Sequence, residues 1–343
     1  MRIDRVHFYV EDAQASRNWF VQHLGFQSVR RGVNEHTRTE VVKSGSVHFI
    51  LSSPLTPQSP VASYLQQHPP GVADVTFGVE DLEAVLLQAI AHDAKVLQPI
   101  QYDNKVKTAK IAGWGSLSHT LIEYSEYADF SLSTAEWRSP LSFTGIDHIV
   151  LNVAAGDLER AVKWYQNTLG FQTKQSFNIQ TERSGLHSQV LVSRDRQVQL
   201  PINEPASANS QIQEFLDVNR GPGIQHIALQ TANIVPSVAK FREGGLSFLP
   251  VPASYYTQLQ ERHKLPLSME ELQEIAQHQI LVDWQDASPD ALLLQIFTQP
   301  IFGEPTFFFE LIERRLQAPG FGEGNFRALF EAIEREQIKR GSM

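Results

Sequence analysis

The sequence predicts an α+β chain of two tandem domains, each assembled from paired βαβββ modules and curled into a half-open barrel. Two internal repeats carry this expectation. Residues 3–26, IDRVHFYVEDAQASRNWFVQHLGF, return as residues 146–171, IDHIVLNVAAGDLERAVKWYQNTLGF, so one unit occurs in each half. A second pair opens at Gly71–Val75 and at Gly223–Ile227, again with a short strand-like run ahead of a helical stretch.

Each long unit begins with residues that alternate in polarity, the period of a strand with one buried face. It passes into a helical stretch holding Trp19-Phe20 or Trp164-Tyr165 and closes on Leu-Gly-Phe, where Gly25 and Gly170 suit a helix C-terminus. Further strands are expected near Val47–Ser52, Ser118–Tyr124, Gln189–Leu200 and Phe307–Glu313, where β-branched and aromatic residues gather. The polar, proline-containing run Ser131–Ser142 interrupts the periodicity, which divides the chain into a first domain 1–130, a linker 131–142 and a second domain 143–343. An insertion at Ser254–Gln279 is charged and helical in pattern. Last comes a helix from about Asn325 to Gln337, with Phe326, Leu329, Phe330 and Ile333 on one face. Glycines 320, 322 and 324 precede it as a hinge, so this helix is expected to act as a lid.

Composition narrows the chemistry. The 343 residues, 42% of them hydrophobic, suffice for two globular cores. With 29 basic against 38 acidic side chains, the net charge of −9 offers no attraction for nucleic acid or an anionic membrane. Neither a signal peptide nor a membrane span of about 20 apolar residues is apparent, and a cytoplasmic protein is expected. There is no cysteine, so any metal must be held by histidine and carboxylate. A homo-oligomer paired through the first halves is compatible with the pattern, although no patch marks it.

Comparing the halves column by column locates the chemistry. The repeats set His148 against Arg5 and His226 against Asp74, while Leu311-Ile312-Glu313 matched to Leu121-Ile122-Glu123 sets Glu310 against Thr120. Three coordinating side chains thus fall at equivalent module positions in the second half alone. Two imidazoles and one carboxylate on one face leave coordination sites open, the arrangement suited to iron(II) and oxygen. Taken singly, a strand histidine or glutamate is usually an ordinary core or surface group; joint placement is what distinguishes these three. His7, His48 and His119 with Glu123 form a rival set that does not recur at matched positions.

Seven strings lie in order across residues 145–337: GIDHIVLNV, SGLHSQVLVS, LPINEP, GIQHIAL, LLLQIFTQP, FFFELIERR and GFGEGNFRALFEAIEREQ. Together they resemble the 4-hydroxyphenylpyruvate dioxygenases of the vicinal oxygen chelate (glyoxalase-like) superfamily. The resemblance covers nearly all of the second half, whereas the first half matches in architecture and length only. It departs at His187, where the family string carries asparagine.

The resemblance implies an Fe(II) cofactor and an enzyme that takes 4-hydroxyphenylpyruvate and O2 to homogentisate and CO2, by oxidative decarboxylation, ring hydroxylation and side-chain migration. It likens Ser188, Asn203, Gln211, Gln225 and Gln295 to groups that line the pocket or stand just behind its lining, counts Asn325 among the substrate-binding residues, and offers Phe297, Phe308, Phe321 and Phe326 as clamps on the aromatic ring. For the phenylalanines, plain core is the commoner use of such residues. Two other readings stand beside it. A hydroxymandelate synthase shares fold, metal and substrate but hydroxylates the benzylic carbon, and a non-enzymatic ligand-binding relative would keep the repeats without needing the triad.

Overall fold

The computed structural model describes residues 1–103, 105–125, 142–180, 184–261, 265–285 and 288–341. The first half runs β1 (Arg2–Tyr9), α1 (Ala13–Leu24), β2 (Gln27–Val33), β3 (Thr37–Ser44), β4 (Val47–Pro54), α2 (Pro60–Gln67), β5 (Gly71–Gly78), α3 (Leu82–Ala91), β6 (Val96–Asp103), β7 (Val106–Ala112) and β8 (Ser118–Tyr124). The second repeats that order through β9 (Gly145–Asn152), α4 (Leu158–Leu169), β10 (Gln172–Gln180), β11 (Gly185–Val192), β12 (Gln199–Pro205), α5 (Gln211–Asn219), β13 (Gly223–Gln230) and α6 (Ile234–Glu243). Two inserted helices, α7 (Ala253–Glu261) and α8 (Met269–Gln277), precede β14 (Leu281–Gln285), β15 (Ser288–Phe297) and β16 (Phe308–Arg314), and α9 (Phe326–Arg340) follows.

Each half is one eight-stranded sheet, ordered β2-β3-β4-β1-β5-β8-β7-β6 and β10-β11-β12-β9-β13-β16-β15-β14. The two orders correspond strand for strand, as the repeat requires. In each sheet the modules meet along a central antiparallel pair, β1 with β5 and β9 with β13. Alternate residues along the central strands and just past their ends, Val6, Phe8 and Val10 in one half and Ile149, Leu151 and Val153 in the other, are buried in a single core cluster that spans both halves. Aromatic rings knit it together: Phe8 lies 5.2 Å from Phe307, and Phe49 stacks on Phe309 at 5.7 Å. Helix ends follow their local chemistry. The Asp12 carboxylate accepts from the backbone N–H of Gln14 and Ala15 to start α1, and Gly25 (φ 67°) and Gly170 (φ 72°) end α1 and α4 in the left-handed conformation.

Three expectations shift. The strand at Gln189–Leu200 is two strands, because the polar run after Val192 makes a turn: the Ser193 hydroxyl donates to Asp195 at 2.6 Å, and Arg196 has a positive φ of 60°. The insertion forms two helices, and the terminal helix begins at Phe326 and continues to Arg340. Residues 131–141 of the expected linker lie outside the described residues.

His119 gives the junction between the halves a pH dependence. Its Nδ1 lies 3.2 Å from the Val75 carbonyl and its Nε2 3.0 Å from the Tyr165 hydroxyl. Burial lowers its pKa from 6.5 to about 4, against the opposing pull of the Asp74 carboxylate. The unfolded chain therefore holds the extra proton between these values, and stability contributed by the neutral ring falls as pH drops through that window. The loss at the acid end is on the order of 3 kcal/mol. Thermal melts between pH 7 and pH 4 should show a falling Tm in the wild type and a shallower fall in His119→Gln; equal slopes would assign the effect to other groups.

Candidate metal centre

Strand β13 lies between β9 and β16, and Ala228 on it stands opposite both His148 and Glu310. The histidine and the glutamate therefore flank one small residue in the same row. His226, farther back on β13, pairs with Val150 and Phe308 and completes the triangle. A register slip between Ile224 and His226 leaves Gln225 as an extra residue, a β-bulge that lets Gln225 and His226 both reach the same cavity.

One ligand atom from each of His148, His226 and Glu310 lies within 4.8 Å of the others, and all three side chains are buried. Glu310 Oε2 is 3.1 Å from His148 Nε2 and 3.7 Å from His226 Nε2. Two ligands about 2.1 Å from one ion and at right angles to each other stand about 3 Å apart, so the spacing fits a shared divalent metal. Neighbouring groups also set which nitrogen faces it. His148 Nδ1 lies 2.9 Å from Asp147 Oδ1 and His226 Nδ1 3.3 Å from Gln225 Oε1, which leaves both Nε2 atoms turned toward Glu310.

Charge is unevenly spread over the two rings. Burial alone would lower the pKa of His148, but the Glu310 and Asp147 carboxylates reverse this and raise it to about 9. Burial and the neighbouring His148 push His226 well below the ordinary value, so that ring is neutral. Burial would raise the carboxyl of Asp147; the bonds from Arg314 and His148 hold it below the usual range.

The matched positions of the first half make no such site. Asp74 accepts from the hydroxyls of Ser118 at 2.8 Å and Thr120 at 3.0 Å and pairs with Lys110 at 3.4 Å, while Arg5 reaches the Tyr124 hydroxyl at 2.7 Å. Nor do the rival residues converge: His7 binds Ser52, His48 the Ser46 carbonyl, and Glu123 the backbone N–H of Leu82.

The triad lies in the wall of a cavity enclosed largely by β10, β11, β13, β15 and β16. Ser188, Asn203, Gln211, Gln225, Gln295 and Asn325 all line it, as do Phe297, Phe308 and Phe321. Phe308 stacks on the His226 ring at 4.8 Å, and Phe321 meets His148 edge-on at 5.3 Å. Gln211 keeps a buried Oε1 with no hydrogen-bond partner among the described residues. The amide of Gln295 is engaged instead, donating to Glu310 Oε1 at 3.0 Å while its oxygen accepts from Asn325 at 2.9 Å. The side chain of Phe326 lies outside the described residues. His187 is exposed and bonds Asn178 at 2.8 Å, so the departure there leaves the cavity untouched.

Sequence reasoning missed Asp147, Arg314 and the apolar wall of Val150, Phe177, Ile179 and Leu186. A signal existed for the first. Both repeats open Ile-Asp, and Asp4 is paired with Arg5 and the Tyr124 hydroxyl just as Asp147 is paired with His148 and Arg314.

A family model described as the Glyoxalase/Bleomycin resistance protein/Dioxygenase superfamily matches residues 2–108 and 145–265. The 4-hydroxyphenylpyruvate dioxygenase of Yarrowia lipolytica is 37% identical, covering 99% of this chain and 93% of its own. That of Dictyostelium discoideum is 36% identical and covers 99% of both. Among solved structures, a substituted 4-hydroxymandelate synthase from Streptomyces coelicolor superimposes with a TM-score of 0.86 at 26% identity over 98% of each chain. The chain belongs to the glyoxalase/bleomycin resistance protein/dioxygenase superfamily and, within it, to the family of the 4-hydroxyphenylpyruvate dioxygenases.

Proposed function

We propose that the chain is an Fe(II)-dependent dioxygenase that converts 4-hydroxyphenylpyruvate and O2 to homogentisate and CO2, with His148, His226 and Glu310 as the metal ligands. One observation supports this above the others: the buried triad opens on a cavity whose remaining wall is mostly apolar. Two imidazoles and one carboxylate leave a divalent ion with a unit of uncompensated positive charge and free coordination positions, which suits an anionic 2-oxo acid. When bound, the metal supplies the oxygen chemistry. The protein's own groups bind, orient and keep water out. Phe177, Ile179 and Leu186 offer the ring an apolar surface, while the amides of Asn203 and Gln211 can meet a phenol without adding charge.

A second reading, hydroxymandelate synthase, is favoured by the structural likeness to that enzyme. Product identity separates the two. Wild-type protein loaded with iron(II) and given 4-hydroxyphenylpyruvate should yield homogentisate by chromatography, with oxygen uptake to match; 4-hydroxymandelate as the main product would establish the second reading. Phe326→Ile should divert a measurable share of product to 4-hydroxymandelate, because about 1.4 kcal/mol between competing transition states is a tenfold ratio. A lowered melting temperature with an unchanged product ratio would make Phe326 an anchor of α9 only.

A further inference from the structure

Arg314, at the end of β16, serves two masters. Its Nε and Nη2 form a fork on the Asp147 carboxylate at 2.6 and 2.8 Å, and that carboxylate is the group that orients His148. Its Nη1 donates in the opposite direction, to the backbone carbonyls of Ala318 at 2.8 Å and Gly320 at 2.9 Å. Those two residues are the root of the segment that carries Phe321 and Asn325 into the cavity wall and leads into α9. The guanidinium is mostly buried, with a side chain 12% exposed, and its planar fork suits a carboxylate in a way that a lysine does not.

A second tether runs parallel to the first. Asn325 reaches Gln295, and Gln295 reaches Glu310. The backbone of Gly322 (φ 76°) passes so close that a Cβ there would collide with Gln295 Oε1. Both the His148 side and the Glu310 side of the triad are thus fastened to the same C-terminal segment.

We propose that Arg314 is a positioning residue that couples metal occupancy to closure of residues 318–340, because one guanidinium fixes both the support of His148 and the root of that segment. The coupling rests on the metal-site reading above. It is reciprocal: whatever ordering the metal confers on the segment, the closed segment returns as metal affinity.

Cobalt(II), added alone to the metal-stripped full chain, is the probe. Calorimetric titration gives its affinity, and limited trypsin digestion at Arg327, Arg335 and Lys339 reports how closed the segment is. In the wild type, cobalt should slow tryptic loss of the C-terminal peptide. Arg314→Lys keeps the charge but loses the fork; it should bind cobalt about 10- to 100-fold more weakly, the usual effect of losing a group behind a ligand. Saturating cobalt should then protect its tail less than in the wild type. Wild-type affinity in Arg314→Lys, or equal tail protection in the two proteins, overturns the coupling while leaving the metal site standing. If Arg314→Lys does not fold, Asp147→Asn tests the same link, and unchanged affinity and protection there overturn it equally. Failure of the parent reading looks different: cobalt would bind no more tightly to the wild type than to His226→Ala.

Discussion

Alanine in place of His148, His226 or Glu310 should lower turnover by about a thousandfold or more, equivalent to roughly 4 kcal/mol of transition-state stabilisation. Each change takes one donor from a set whose ligand atoms lie within 4.8 Å of one another, and the two donors that remain should hold the ion less firmly and less well oriented. The overall fold should survive, because the core lies on the other side of these strands, where Ile149, Ile227 and Leu311 are buried. Bound iron per chain, homogentisate formation and circular dichroism check the three statements separately. Wild-type iron content and activity in any one variant would remove that residue from the site. Arg5→Ala and Thr120→Ala serve as controls, since those positions belong to the Asp4–Tyr124 and Asp74 networks of the first half, and both should leave iron content unchanged.

Truncation after Pro319 should keep bound iron at saturating metal, because all three ligands lie upstream, yet reduce productive turnover on the order of a hundredfold. The deletion removes Phe321 from the edge of His148, Asn325 from Gln295, and Ile333 from the cavity wall. Water would then reach a site that is otherwise lined by apolar side chains, and oxygen uptake should exceed product formed. Simultaneous measurement of oxygen and homogentisate tests this. Full, coupled activity in the truncated chain would show that α9 has no part in the reaction.

Much of the architecture was legible because β-sheet side chains alternate and the repeat supplied its own internal comparison. Ser118–Tyr124 was found residue for residue, and Gly25 and Gly170 end their helices as their neighbours in sequence suggested. The three converging residues were found because the first half acts as a reference in which the same columns hold Arg5, Asp74 and Thr120. What escaped was of another kind. The turn after Val192 hid inside a run read as one strand, and it is closed by backbone bonds from Arg196 to Ser193 and from Ser193 to Val198 together with the Ser193 and Asp195 side chains. Gln295 lines the cavity as the resemblance implied, but the engagement of its amide by Glu310 and Asn325 depends on partners 15 and 30 residues away in the chain. Arg314 follows two glutamate-bearing positions in a charged run, where nothing local distinguishes a buried fork from an ordinary surface cation.

The aromatic seam between the halves has a consequence for how the ligand-free copy has been kept. Along residues 307–310 the strand alternates its allegiance: Phe307 and Phe309 turn to Phe8 and Phe49 of the first half, while Phe308 and Glu310 turn to the cavity. A slip of one residue would exchange the two sets, taking the glutamate out of the site and setting a phenylalanine in its place. The first half therefore works as a key cut to one register, and its rings are the teeth. The first half can carry Arg5, Asp74 and Thr120 where the second has its triad, but it cannot change shape at Phe8 or Phe49 without the error being read out on the far side of the strand as a misplaced carboxylate.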